Sequence, residues 1–347
     1  MRCFVPLVCL FAAACGSSAS GPASASLATE PTSGSSGAAT SIAIPTTSVA
    51  SPTTDAAIAN GAATVAATST VGVGVGVESA ASGLDPTHLP LGNGQFASSP
   101  TVGKIYSCRT DYSGGTVVQW PWYNGDGTWD STAKPSVAGD VRWDAASVEF
   151  VVSGDWRVIT ANALPTHGTG VFPISPSDPA YQYDRNPGTI SAQSISQRLP
   201  ANPTVASEAS CIRGEIGIAI DGVPIFDGFD ADGRDAPANE LQDACHGHPQ
   251  RTGVYHYHNL SPCLDDAATG HSALIGYAYD GFGIYGPRGE GGETLINADL
   301  DECHGHTHEI VWDGTQVEMY HYHATAEFPY TVGCLRGTSA QGRPIGG

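Results

Sequence analysis

The side chains able to do chemistry here are mostly histidines. Of 12 histidines in the chain, all but His88, His167 and His271 fall in two short regions. Each region holds a Cys-His-Gly-His segment, Cys245–His248 or Cys303–His306, followed by Tyr-His-Tyr-His, Tyr255–His258 or Tyr320–His323. On an extended strand side chains alternate, so His256 and His258 share a face, as do His321 and His323, with Cβ atoms roughly 6.5–7 Å apart. That spacing suits two ligands of one ion, and imidazole suits copper, zinc, iron and nickel. The glycine of Cys-His-Gly-His frees the backbone for a tight turn, from which a further imidazole can join the strand pair. The expected ligands are His248, His256, His258, His306, His321 and His323, with His246 and His304 as second choices. Asp221 and Asp280, which follow strand-like runs, and Tyr255 and Tyr320 are the expected outer partners that orient the imidazoles. His167 and His271 stand apart and read as structural. His308 has no counterpart in the first region, where Gln250 lies at its offset, and reads as peripheral. The alternative for the whole set is a hydrogen-bonded histidine network without metal.

Elements that could position these groups come from a duplication. Ile216–Phe226 aligns with Ile275–Tyr285, Asp243–His248 with Asp301–His306, and Tyr255–His258 with Tyr320–His323, in the same order. Each copy ends on a cysteine, Cys263 or Cys334. The repeats run from about 211 to 265 and from about 271 to 336, within a module at 211–337. The repeat predicts Cys245–Cys263 and Cys303–Cys334 as equivalent disulfides, leaving Cys108 to pair with Cys211. No Cys-x-x-Cys pair is present, so a thiolate zinc site is not expected. Around these segments, alternating runs such as Ser147–Ser153, Trp156–Thr160 and Gly214–Ile220 sit between Gly, Asp, Asn and Pro, and no long apolar run has a helical period. The expectation is a mainly β, compact, disulfide-stabilised fold with an internal duplication. Residues 99–210 form its N-terminal β-rich section.

Before this lies a different composition. Arg2, the apolar run Phe4–Ala14 and Cys15 read as a lipoprotein signal over residues 1–15, with Cys15 lipidated; the run is too short to span a bilayer. Residues 16–98 are dominated by Ala, Ser, Thr, Gly, Pro and Val, which reads as a disordered stalk. The mature chain is therefore expected outside the cytoplasm, lipid-anchored at the cell envelope or secreted. The formal net charge of −20 excludes the basic stripe that nucleic-acid binding needs.

Weaker constellations are also present. Asp227, Asp230, Asp232 and Asp235 evoke a calcium loop, but the spacing departs from the calcium-binding pattern and an acidic turn is the expectation. Gly-x-Ser-x-Gly, His-Glu-x-x-His and phosphate-loop motifs are absent, so no catalytic residue is assigned. For a metalloenzyme, Asp221, Asp243, Asp280 and Asp301 are the candidate bases. The run Trp120–Trp129 motivates a glycan- or partner-binding module, against the simpler reading of buried tryptophans.

The two tetrapeptides, the Cys-His-Gly-His segments, Asp280–Gly286 and Phe328–Cys334 resemble the YHYH protein family, over about 102–337. This resemblance supports domain limits and a secreted setting and implies no particular activity. The functional expectation is a surface lipoprotein that binds copper or zinc for capture, storage or handover, at two sites or one shared site.

Overall fold

A computed structural model describes residues 84–112, 118–264 and 269–338. The signal, Cys15 and most of the stalk lie outside these residues. The stalk's expected end is corrected: residues 84–98 are packed. Leu89 is buried, and Gly92 lies so close under the Phe328 ring that an added Cβ would collide with it. Composition hid this because Leu89, Leu91 and Phe96 are diluted by Pro and Gly.

Short pairs open the fold. Strands β1 (Leu89–Pro90), β2 (Phe96–Ala97), β3 (Ile105–Tyr106) and β4 (Thr128–Trp129) give an antiparallel β1–β4 pair and a parallel β2–β3 pair. An antiparallel three-stranded sheet follows, β5 (Val148–Ser153), β6 (Trp156–Ala161) and β7 (Ile195–Pro200), its first two strands close to the runs expected from alternation. After β8 (Val205–Ser210) the duplicated region begins. Its first half holds β9 (Glu215–Ala219), β10 (Pro224–Phe226), the one-turn helix α1 (Ala236–Asn239), β11 (Gly247–Pro249) and β12 (Tyr255–Tyr257). The second half holds β13 (Leu274–Ala278), β14 (Gly283–Tyr285), β15 (Gly305–Trp312) and β16 (Thr315–His323), and β17 (Leu335–Gly337) closes onto β8.

These halves build one eight-stranded sheet in the order β11-β12-β10-β9-β13-β14-β16-β15, which reads the same from either edge once the halves are interchanged. Register agrees strand for strand. Ile225 faces Tyr257 as Ile284 faces Tyr322 in parallel pairs, and His248 faces His256 as His306 faces His321 in antiparallel ones. At the seam β9 and β13 run antiparallel, with Gly217 opposite Ala278 and Gly276 opposite Ala219. Both glycines allow close approach: a Cβ on Gly217 would come within 2.5 Å of the Tyr277 carbonyl oxygen, and one on Gly276 within 2.8 Å of that of Ile218.

Apolar burial fixes the layers. Ile159 and Leu199 of the three-stranded sheet share a core with Ile218, Tyr277, Ile310 and Trp312 of the large sheet. Arg157 is buried there between the Tyr277 and Trp312 rings, and it pairs with Asp313 at 2.8 Å. A second core holds Ile216, Ile225, Phe282, Ile284 and the four motif tyrosines. Trp122 and Trp129 are buried in a third, with Trp120 stacked on Trp122, so the sugar-stacking surface considered from sequence is largely interior. The three disulfides are Cys108–Cys211, Cys245–Cys263 and Cys303–Cys334, the pairs the repeat predicts.

The seam offers a direct test of the shared sheet. Gly217→Val places atoms against the Tyr277 carbonyl and is expected to cost about 1–3 kcal/mol, as overpacking does, read by chemical denaturation. An unchanged midpoint would mean that the two halves do not meet at this register.

Candidate metal centres

Each motif is assembled around one aspartate, buried at Asp243 and part-buried at Asp301. Asp243 Oδ1 accepts the amides of Cys245 (2.9 Å) and Gly247 (3.2 Å) and the Tyr255 hydroxyl (3.0 Å). Asp301 Oδ1 accepts Cys303 N (2.9 Å), Gly305 N (3.1 Å) and the Tyr320 hydroxyl (3.0 Å) in the same way. Those tyrosine rings lie on the motif glycines: a Cβ on Gly247 would meet Tyr255 at 2.2 Å, and one on Gly305 would meet the Tyr320 hydroxyl at 2.4 Å. The following tyrosines donate to the other buried aspartates, Tyr257 to Asp221 at 2.8 Å and Tyr322 to Asp280 at 2.6 Å. Strand alternation thus sends all four tyrosines to one face and the four strand histidines to the other.

On the histidine face of the first copy, His256 and His258 bring their Nε2 atoms to 3.1 Å. The Nδ1 of His258 lies 2.6 Å from the Asp227 carbonyl oxygen and that of His256 lies 3.2 Å from the Val254 carbonyl oxygen. A carbonyl only accepts, so each Nδ1 carries the proton and each Nε2 presents a lone pair. Two lone pairs facing at 3.1 Å repel unless a cation or a proton lies between them. His248, carried in by β11, completes a trio of buried imidazoles whose ligand atoms lie within 4.8 Å of one another. Glu240 joins them: its Oε2 is 3.3 Å from His248 Nε2 and 3.4 Å from His258 Nε2. For tetrahedral zinc with ligand bonds near 2.0–2.1 Å, donors sit roughly 3.3 Å apart. The Nδ1 of His248 is buried without a hydrogen-bond partner, while its Nε2 faces the Oε2 of Glu240. Burial raises the Glu240 carboxyl, and the facing imidazoles, His248 foremost, outweigh it and hold it well below the usual range. Sequence missed Glu240 because it sits at the C-cap of α1 rather than in either motif.

The second cluster differs. His321 and His323 again face at 3.1 Å between Nε2 atoms, with Nδ1 donating to the carbonyls of Met319 (3.0 Å) and Gly286 (2.6 Å). His271 adds its Nε2 at 3.3 Å from that of His321, and its Nδ1 donates to the Ser272 carbonyl at 2.9 Å. His308 completes a set of four whose ligand atoms lie within 4.8 Å of one another. His306, from the position equivalent to His248, packs its ring on His321 and His323 at 4.9 and 4.8 Å. The Nε2 atoms of His306 and His308 are buried without a hydrogen-bond partner. The structure places His271 and His308, expected to be structural and peripheral, within this second cluster. His271 lies before β13, far in sequence from the motif. His308 extends the alternation His306-x-His308 along β15 and shares its face, a signal the sequence did carry.

Other expected positions fall elsewhere. His246 and His304 occupy the left-handed turn (φ 59° and 74°) and point away from both clusters. His246 Nδ1 bonds the Leu260 carbonyl, and His304 Nε2 bonds Thr325. Asp221, Asp280, Tyr255 and Tyr320 do not orient the imidazoles; they pair among the opposite face, and backbone carbonyls do the orienting. His167 joins that opposite face through the Tyr257 hydroxyl at 2.5 Å. In the acidic loop Asp230 pairs with Arg234 at 2.6 Å, and Asp235 accepts Gly92 N, Ala238 N and the Tyr330 hydroxyl.

Comparison with known proteins bears on this frame. Residues 196–294 match the family described as YHYH protein. Over these residues the chain is similar to the YHYH family. The match takes in the first histidine cluster with Glu240, and the second tetrapeptide at Tyr320–His323 lies beyond it. No curated protein and no solved structure matches the chain.

Burial holds the YHYH imidazoles neutral. It lowers His258 to about 4, His321 to about 3 and His323 to about 2. A free histidine, with its pKa near 6.5, is mostly charged at pH 5.5. In the metal-free protein at pH 5.5, nitrogen-15 NMR is expected to show these three rings neutral with the proton on Nδ1. Imidazolium signals from them at that pH would contradict the lone-pair geometry.

Proposed function

We propose that this is an exported metal-binding protein holding copper or zinc at two separate histidine clusters, His248–His256–His258 with Glu240, and His271–His308–His321–His323 with His306. One observation carries the reading. In both copies carbonyl-bound Nδ1 atoms leave Nε2 lone pairs converging at 3.1 Å, a contact that a cation relieves. A hydrogen-bonded histidine network would instead pair donors with acceptors, and it would not leave His248 Nδ1 and the Nε2 atoms of His306 and His308 buried without a hydrogen-bond partner. The donor sets of imidazole and one carboxylate suit zinc and copper, and with every described cysteine in a disulfide no thiolate competes. Those disulfides also favour an oxidising compartment, in keeping with the lipoprotein signal and Cys15. Capture, storage or handover of the ion is the role proposed.

A metal-dependent enzyme is the second reading, favoured by the opening of the first cluster onto a cleft of about 540 Å³. Asp221, Asp243, Asp280 and Asp301, the candidate bases, each accept a tyrosine hydroxyl on the opposite face of the strands.

Elemental analysis of the full chain, tag-free and from a disulfide-competent host, tests the main reading. After loading with copper or zinc, one ion per cluster is expected. His256→Ala/His258→Ala and His321→Ala/His323→Ala should each remove one of them. Glu240→Gln should weaken the first site by at least the roughly 10–100-fold that follows loss of an outer partner. A folded chain that takes up neither metal under loading would overturn the proposal and return the histidines to a structural role.

A further inference from the structure

The duplicated frame presents two nearly equivalent ligand sets to two unlike clefts. Beside the second cluster a cleft of about 390 Å³ is walled by Glu290, Glu293 and Asp299, with His306 and His308 at its base. The cleft over the first cluster is larger and carries Arg109, Arg213 and Arg251 on its wall, with Glu240 and the three histidines inside. These are three of only 14 basic residues in a chain of net charge −20. Their placement is not demanded by the shared fold. Arg251 lies eight residues after Asp243, and the residue eight after Asp301 is Glu309, so the charge is reversed between the copies.

Arg109 is committed, to Asp111 at 3.1 Å and to the Tyr112 ring. Arg213 and Arg251 are exposed and have no carboxylate within 4.0 Å among the described residues. The carboxylates on the same wall are otherwise engaged. Asp230 pairs with Arg234 at 2.6 Å, and Asp227, toward which Arg213 exerts a longer-range attraction, accepts the amides of Gly214 (2.6 Å) and Phe229 (2.9 Å). Burial raises the Asp184 carboxyl, and His248 nearby acts against it. At the cleft base His248, 5 % exposed at its side chain, faces Glu240 with its Nε2 and keeps its Nδ1 without a hydrogen-bond partner. A metal there faces solvent on the cleft side, where a further ligand can approach, and arginine is the side chain best shaped to grip the remaining oxygens of an oxyanion.

We propose that the first cluster, once metal-loaded, is a receptor for a small oxyanion, a carboxylate or phosphate, with one oxygen on the metal and the others held by Arg213 and Arg251. The second cluster, behind its acidic wall, holds its ion with protein ligands alone. The inference rests on the reading of the clusters as metal centres and assigns the two copies different tasks.

Cobalt(II) serves as the spectroscopic probe, in the full chain carrying His321→Ala/His323→Ala so that only the first cluster fills. Metal content is measured on the same sample. Inorganic phosphate and malonate are expected to change the visible cobalt spectrum saturably at constant ionic strength, whereas chloride does not. Arg213→Gln and Arg251→Gln should each weaken that binding by about tenfold, as loss of a charged hydrogen-bond partner does, with cobalt content unchanged. A cobalt-loaded protein indifferent to both anions, or anion binding unaltered in both arginine variants, overturns the receptor while leaving the metal centre intact. Failure of cobalt, copper and zinc all to load removes the metal reading, and the receptor with it.

Discussion

The fold around both clusters depends on a carboxylate, buried at Asp243 and part-buried at Asp301, that accepts a tyrosine hydroxyl. Asp243 and Asp301 each hold two amides of the Cys-His-Gly-His turn and the first tyrosine of the following strand. A buried carboxylate is costly unless its lone pairs are met, and here the partners that meet them are the pieces that must stay together. The turn is locked to the strand, the glycine is covered by the tyrosine ring, and the second imidazole of the turn segment is set opposite the first imidazole of the strand. Asp221 and Asp280 repeat the device one strand further in, through Tyr257 and Tyr322.

With one face of each strand so occupied, the geometry of the other follows. Alternation turns the histidines away from the aspartates, and backbone carbonyls rather than carboxylates choose their tautomer. This division leaves the imidazoles neutral and their lone pairs convergent, since nothing on their own strand can donate to them. The disulfides Cys245–Cys263 and Cys303–Cys334 tie the turn to the segment that follows the strand in each copy. Where the copies differ, they differ in what is added to this common frame: Glu240 from α1 in the first, His271 and His308 in the second. A duplication whose supporting bonds are preserved, and whose added side chains and cleft walls differ, is free to acquire two functions without rebuilding its core.

Much of the candidate site could be read from the residues alone. Period-two alternation is a local property of an extended chain, so the pairing of His256 with His258 and of His321 with His323 on shared faces needed no tertiary information. The repeat likewise indicated the disulfides, because equivalent positions in a duplicated fold meet equivalent partners. The strand runs in the first section were legible for the same local reason. His308 was legible too, at two residues from His306, but its lack of a counterpart in the first copy argued against it.

Only the tertiary structure decided the rest. Glu240 and His271 reach the clusters from segments outside the motifs, and residues distant in sequence become neighbours only through the order of strands in the sheet. The turn histidines His246 and His304 were excluded by a positive φ, a backbone choice that the adjoining glycine suggests but does not locate. Likewise the aspartates proved to be structural partners of tyrosine rather than of imidazole, because strand alternation sends the two aromatic types to opposite faces. The sequence by itself determined which side chains share a face of a strand; the packing of the sheet determined what each face meets, because that depends on contacts between segments that no local spacing encodes.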